Sequence, residues 1–536
     1  FGVALTLPKE SAAAVNPLQD IGIAINSEGT GTASIVDLGN HNVLQTVANL
    51  TSQDGAPSAV VVDPATNQAL IANTAAGTVA FIPLGASSPK PLQILESNPS
   101  IAFTSAAPLS LTINGMGFDA SSTVLLDGTP VAGAAIVNSR EIQASVPASL
   151  LVSARRFAVQ VQNTAGTVSN VQPLTIVQAV SVGKAPAGVA IDPDHDLAVV
   201  TNSGSGNISL VSIAPPSNSS PQSLGPVGVV GSPLPAHLNP RGVAVDSRLG
   251  LAVVANYDSN DLSLVDYSGV NMPGPYAPPA VPGCASTTVC TGPAGVAFNQ
   301  DTNAFIVTDT NIGAANSDVA FGSVTAPTAT SAASIGNPGT PQPVDQTPGD
   351  VAIAPSFDPF DPVNNPNPSL TYAAIASAAQ TSVIDFLNTS LELVVGRTTG
   401  LIEPAGIVYD SLNHVFVASD SLNNNIVIVD PLTFVPVTVR GGFNPSSIAY
   451  NSQTSTIATV NGATGTLSVL DYVCPPLAGQ PACTAPQVRD TIGLVGSQIS
   501  PTAPLGPKTV DIDPLLNVAV LVDSENNRVL LIPLPY

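Results

Sequence analysis

Short apolar runs of about five to seven residues recur along the whole chain, separated by turns rich in Gly, Asn, Asp and Ser. The runs are dominated by Val, Ile and Ala, which predicts strands, and no helical period of convincing length interrupts them. They come in groups of three, and each group opens on a proline. The shared phrase is Pro-x-x-(small or Val)-Ala-Val-Asp-Pro, then an apolar run ending in Asn or Asp, a Gly/Asn turn, and a run ending in Val-Asp. Pro186–Ile213 and Pro240–Tyr267 are the clearest copies. Pro57–Leu84, Pro404–Pro431, Pro445–Tyr472 and Pro507–Leu534 follow the same plan, Pro293–Val324 and Pro348–Leu387 are degenerate, and a partial copy begins near Ala12, nine in all. Asp-Pro and Asn-Pro favour the turn from the first strand to the second. A weaker fourth strand follows several copies, as at Pro436–Val439 and Asp490–Leu494.

Four antiparallel strands per unit, repeating every ~41–62 residues, predict the blades of a β-propeller. The units resemble the YVTN/NHL-type β-propeller repeats of secreted bacterial proteins, over about 450 residues. The resulting expectation is an all-β chain built on a single large β-propeller of eight or nine blades. The last copy stops after its third strand, Val529–Leu534, while Gly2–Leu7 is a strand-like segment without a group. Gly2–Leu7 is therefore expected to close the ring as the outer strand of the final blade, removing an unpaired edge. Donation of the same strand to a neighbouring subunit would instead make a polymer.

Residues 94–177 break the repeat. Leu109–Phe118, Ser122–Gly128, Glu141–Pro147, Phe157–Asn163 and Leu174–Val177 are short alternating strands set between Gly/Asn turns, which predicts a small β-sandwich. The Leu-Thr-Ile-x-Gly-x-Gly-Phe stretch, the Asp-Gly hairpin and the Val-Pro step resemble the IPT/TIG immunoglobulin-like domain. The expected organisation is a first propeller part at 1–88 (closing strand 2–7 and two blades), an inserted sandwich at 89–177, and the rest of the propeller at 178–536. DNA-binding members of that family use basic loops; here the sandwich carries only Arg140, Arg155 and Arg156.

Composition narrows the function. The chain has 536 residues, 13 Lys+Arg against 36 Asp+Glu, and a net charge of −23. This balance opposes nucleic acid and anionic lipid as partners. No apolar run of about 18 residues is present, so no membrane-spanning helix is expected. The chain starts at Phe1 rather than Met, which is read as removal of a targeting peptide or as a fragment. Cys284/Cys290 and Cys474/Cys483 form two local pairs without zinc or redox spacing. They are expected to be two short disulfide loops, which places the protein in an oxidising compartment: extracellular or at the cell surface, with the periplasm as the alternative.

Catalytic residues are not predicted. His41, His195, His237 and His414 fall in turns or a proline-rich loop. The first strands carry Asp350, Lys508 and Asp511 as their main polar residues, too few for a convergent centre. Cofactors are not expected. Structural calcium is considered at Asp192-Pro-Asp-His-Asp196, which lacks the glycine and terminal glutamate of an EF-hand loop, and at the turns Ser421–Asn425 and Ser524–Asn527. Carbohydrate binding is disfavoured by the absence of Trp. The sequons at Asn49, Asn207, Asn218 and Asn388 carry little weight. These observations lead to the expectation of a non-enzymatic extracellular structural or adhesion protein that associates with other protein subunits, itself included. A periplasmic binding scaffold and, more remotely, a metal-dependent propeller lyase or hydrolase are the alternatives.

Overall fold

The computed structural model describes residues 10–16, 20–26, 31–39, 41–48, 50, 57–64, 66–73, 77–85, 92–213, 227–268, 280–281, 292–310, 317–328, 333–336, 341–345, 347–354, 372–378, 382–431, 433–471, 487–493 and 509–535. These residues are all-β, in many antiparallel sheets, and fall into two compact units. One unit is Phe1–Ser100, Ser105–Val152 and Phe157–Leu174; the other is Ile101–Thr104, Ser153–Arg156 and Thr175–Tyr536.

The larger unit contains seven sheets in succession. Their first strands are Pro186–Asp192, Pro240–Asp246, Pro293–Asn299, Pro348–Ile353, Pro404–Asp410, Pro445–Asn451 and Val510–Asp513. Each first strand packs beside the next, and Val510–Asp513 packs beside Pro186–Asp192, so the series is cyclic. Within each sheet the next two strands pair in chain order, as Leu197–Asn202 and Asn207–Ser212 do in the first. The fourth strands include Gly228–Pro235, Pro436–Arg440 and Gln487–Gly493. Both degenerate copies form complete sheets.

The last sheet is completed from the beginning of the same unit. Gln178–Ser181, the end of the strand Gln172–Ser181, pairs antiparallel with Arg528–Leu531. This corrects the expected closure by Gly2–Leu7, a segment that lies outside the described residues: the outer place on Arg528–Pro533 is already taken. Among the described residues the cyclic series holds seven sheets, and the first two copies, expected within the propeller at 1–88, belong to the other unit.

The recurring phrase has a hydrogen-bond cause. Six of the seven first strands end in a buried Asp or Asn, the exception being Pro348–Ile353; Asp192, Asn299, Asp410, Asn451 and Asp513 turn the chain by accepting backbone N–H groups two and three residues on. The residue before the second strand then takes a left-handed conformation, with φ of 53–56° at Asp196, Asn303, His414, Ser455 and Asn517. At the second turn, Asn202, Asn256 and Asn461 each donate Nδ2 to side chains five and seven residues on, at 2.7–3.0 Å. Between sheets, Thr201 Oγ1 donates to the Arg241 carbonyl at 2.7 Å and Thr308 Oγ1 to that of Gly349 at 2.8 Å. The core lies between neighbouring sheets: Val189, Ala198, Val211, Val520, Val529 and Leu531 form one such layer, all at 0% exposure.

In the smaller unit, the first copy forms a four-stranded sheet, Glu10–Asn16, Ile21–Asn26, Thr32–Asp37 and Asn42–Ala48. The second forms a sheet of three described strands, Pro57–Asp63, Gln68–Asn73 and Thr78–Pro83. They stack through Ile21, Ile23, Ile25, Ala69 and Ile71. Asn16 Nδ2 donates to Asn67 Oδ1 at 2.7 Å, as Asn451 Nδ2 does to Asn517 Oδ1 at 2.8 Å in the cyclic series. The inserted segment adds two antiparallel sheets. One orders Ala135–Asn138, Glu141–Val146, Leu109–Met116 and Gln93–Asn98; in the other, Thr123–Leu126 pairs with Thr129–Pro130 and with residues 159–162. Leu111, Ile113, Val124, Ile142, Val159 and Val161 are fully buried. Arg140 Nε meets Asp20 Oδ1 at 2.7 Å, tying this segment to the first copy.

Candidate functional site

The first strands of all seven sheets line one cavity of about 310 Å³. Its wall is mostly aliphatic, from residues such as Ala190, Val243, Val296, Val351 and Ile407. The polar exceptions are Asp350, Asp511, Tyr409, Ser411 and Tyr450. Asp350 and Asp511 are two of the three inner polar residues expected from sequence; the third, Lys508, lies outside the described residues.

Both carboxylates act on the backbone of the following sheet. Asp350 stands where four other first strands carry glycine, is 4% exposed, and accepts the Val351 N–H at 3.0 Å and the Ile407 N–H at 3.1 Å. Asp511 accepts the Ile191 N–H at 2.9 Å and so bridges the last sheet to the first. Each is thus engaged as a staple between sheets.

Tyr409 and Tyr450 were not singled out in the sequence. The available signal was positional: both occupy the sixth place of a first strand, where other copies have Ile, Val or Phe. Burial, reinforced by Asp410, pushes both phenols above their ordinary range and keeps them protonated. Tyr409 Oη lies 3.2 Å from His414 Nδ1, and burial lowers the pKa of that imidazole against the opposing effect of Asp410. The Tyr450 hydroxyl is buried and faces Asp410. This end of the cavity offers neutral hydrogen-bonding groups.

The remaining candidates are dispersed. Asp192 is fully buried; its carboxylate accepts the Tyr267 hydroxyl at 2.6 Å and the backbone N–H groups of Asp194 and His195, and lies 2.9 Å from His195 Nδ1. The Asp192–Asp196 turn considered for calcium is thus organised around an internal network. Asp420 binds Asn423 and the Ile402 N–H, and Asp523 binds Asn526 and Arg528, so both flanking turns are likewise held by their own side chains. His237 Nδ1 lies 2.5 Å from Asp261 Oδ2, and His41 is exposed in a left-handed turn. His414 matches Asp196 rather than His195 in the repeat. Cys284, Cys290, Cys474 and Cys483 lie outside the described residues.

One electrostatic conflict stands apart. Asp309 and Asp318 oppose each other across the second hairpin of the third sheet, where other copies pair Asn202 with Asn207 or Asp523 with Arg528. Burial first, then Asp309, pushes Asp318 up to about 6 from its ordinary 3.8. A folded-state pKa above the unfolded one makes the protonated form the better folded one. The penalty is therefore absent below about pH 4, grows as pH rises through 6, and is full above that. Asp318 is half-exposed, so solvent screening reduces the effect to roughly 1 kcal/mol. Asp318→Asn should raise the melting temperature at pH 7.5 and leave it nearly unchanged at pH 4, as followed by circular dichroism.

No family model matches the chain, and no curated protein matches it. Among solved structures it is similar to Kuenenia stuttgartiensis hydrazine synthase, at 14% identity and a TM-score of 0.45, over 65% of this chain and 96% of that one. A likeness at that level carries no inference about activity. Among the described residues no helix is long and apolar enough to cross a membrane.

Proposed function

We propose that the cyclic series is a seven-bladed β-propeller closed by Gln178–Ser181, that the inserted segment is an immunoglobulin-like sandwich of the IPT/TIG type, and that the whole is a non-enzymatic extracellular structural protein working through protein–protein contact, including contact with copies of itself. The observation that carries this reading is the engagement of the cavity's carboxylates. Asp350 and Asp511 each bind the backbone of the next sheet, in an otherwise mostly aliphatic wall. Such groups rigidify a scaffold; turnover requires polar groups converging on a reacting atom. The local cysteine pairs Cys284/Cys290 and Cys474/Cys483, read as disulfides, agree with an oxidising compartment. Repeated blades with few charges suit a durable surface more than a regulated site.

Light scattering across a concentration series tests this reading. The expected result is a mass that grows beyond the 53.7 kDa of one chain, with ordered assemblies in negative-stain electron microscopy. A mass fixed at one chain up to millimolar concentration would overturn self-association. Loss of a measurable turnover on Asp511→Asn, with melting unchanged, would overturn the non-enzymatic role.

A further inference from the structure

The cavity ringed by the seven first strands carries charge of one sign. Asp350 and Asp511 line it, and no Lys, Arg or His is among the described residues of its wall. Asp350 is 4% exposed, whereas Asp511 is partly exposed and is the carboxylate within reach. One oxygen of Asp511 accepts the Ile191 N–H at 2.9 Å. That bond fixes the carboxylate without cancelling its charge, and each carboxylate oxygen can accept more than one hydrogen bond. The chain's net charge of −23 adds a field of the same sign.

Aromatic rings share this wall. Phe298, Tyr409 and Tyr450 each occupy the sixth place of a first strand, in the third, fifth and sixth sheets, and all three line the cavity. Tyr450 sits on the first strand that packs beside Val510–Asp513, so its ring and the Asp511 carboxylate come from neighbouring strands. Its hydroxyl faces the buried Asp410 carboxylate, which draws the hydroxyl hydrogen and leaves the oxygen as an acceptor. A carboxylate, an acceptor oxygen and an aromatic ring together favour a cation that donates hydrogen bonds. The rest of the wall is mostly aliphatic and suits a hydrocarbon body. Among the described residues no three Asp, Glu, His or Cys side chains converge as ligands for a metal ion, so an organic cation fits the wall better than a bare one. A neutral molecule gains little from the carboxylates, and an anion is repelled by them. The volume of about 310 Å³ bounds the size, since at ~30 Å³ per water it holds roughly ten non-hydrogen atoms.

We propose that this cavity binds a small organic ammonium ion, with its charged head beside Asp511 and Tyr450 and its hydrocarbon body against the aliphatic first strands. The site is independent of self-association and asks for no chemistry on the ligand.

Isothermal titration calorimetry of the full chain with n-hexylammonium, 1-hexanol and hexanoate tests it. Hexylammonium should bind one per chain and at least tenfold more tightly than hexanol, and hexanoate should bind least. Asp511→Asn keeps an acceptor for the Ile191 N–H and removes the charge. It should erase the preference for hexylammonium and leave hexanol binding unchanged, whereas a purely structural role would weaken both probes alike. The three-probe comparison on the parent chain keeps the test decisive if Asp511→Asn fails to fold. Equal binding of the alcohol and the ammonium ion, or no binding of either, overturns the proposal. So does binding of many hexylammonium ions per chain that Asp511→Asn leaves unchanged, which would mark condensation on an acidic surface. Displacement of hexylammonium by equimolar calcium would assign the charge to a metal ion and overturn the organic ligand. Light scattering reads self-association separately, so failure here and failure there are distinguishable.

Discussion

Val180→Asp should lower the stability of the cyclic series of sheets by about 3 kcal/mol or more, while Leu5→Asp should leave its melting unchanged. Val180 is 7% exposed, pairs with Val529, and packs in the layer that contains Val520 and Leu531. Removing its burial alone costs about 1.5–3 kcal/mol, and a carboxylate at the same place adds a desolvation cost with no cation supplied for it. The position also has leverage, because the strand that closes the ring pairs with the last sheet over only Gln178–Ser181. Nearby, the Val182 N–H donates to the Asn527 carbonyl at 2.9 Å and the Ala185 N–H to Asn527 Oδ1 at 2.8 Å. Loosening Gln178–Ser181 therefore frees the edge of Arg528–Pro533 and weakens the join between the last sheet and the first. Thermal unfolding of both variants, followed by circular dichroism, decides between the two candidate closing strands. A cyclic series that resists Val180→Asp and melts early with Leu5→Asp would restore the closure expected from the sequence.

The strands and turns were legible because the code that makes them is local. A buried Asx residue closing the first turn and a buried Asn closing the second are both written within a few residues. Ring membership is not local. The copy at Pro57–Leu84 follows the phrase well, and Asn16 reaches Asn67 as Asn451 reaches Asn517, yet its sheet lies in the smaller unit. The degenerate copies at Pro293 and Pro348 lie in the cyclic series. Clarity of the repeat thus reports the turn chemistry of one sheet, whereas closure depends on which distant strand pairs with Arg528–Pro533. The cavity was half legible. Asp350 and Asp511 stand out as charges among apolar positions, but Tyr409 and Tyr450 read as ordinary strand aromatics until seven first strands are brought around one space. The role of the two carboxylates was hidden as well, since their partners are backbone N–H groups of Ile407 and Ile191, which every sequence supplies.

Gly242→Ala should destabilise the cyclic series of sheets by roughly 2–4 kcal/mol, with Gly228→Ala within about 0.5 kcal/mol of the parent chain. A Cβ on Gly242 would stand 2.1 Å from the Ala294 carbonyl oxygen and 3.1 Å from its carbon, both backbone atoms of the next first strand. Neither can swing aside as a side chain does, so the second and third sheets would have to part, opening the packed layer of Leu251, Val253 and Phe305. Gly228 lies on an outer strand with nothing within 4 Å of an added Cβ, so only backbone entropy changes there. Urea unfolding of the two variants measures the difference. The same position explains why the cyclic series can alternate between two kinds of junction. Gly188, Gly242 and Gly295 let the next strand's carbonyl approach, whereas Ser447 and Asp350, in the same place, hold the next sheet with a side chain: Ser447 Oγ accepts the Thr509 N–H at 3.0 Å and Asp350 Oδ2 that of Ile407 at 3.1 Å. A small residue at this position is therefore tolerated only where the neighbouring strand already stands off, and Gly242→Ala places one where it does not.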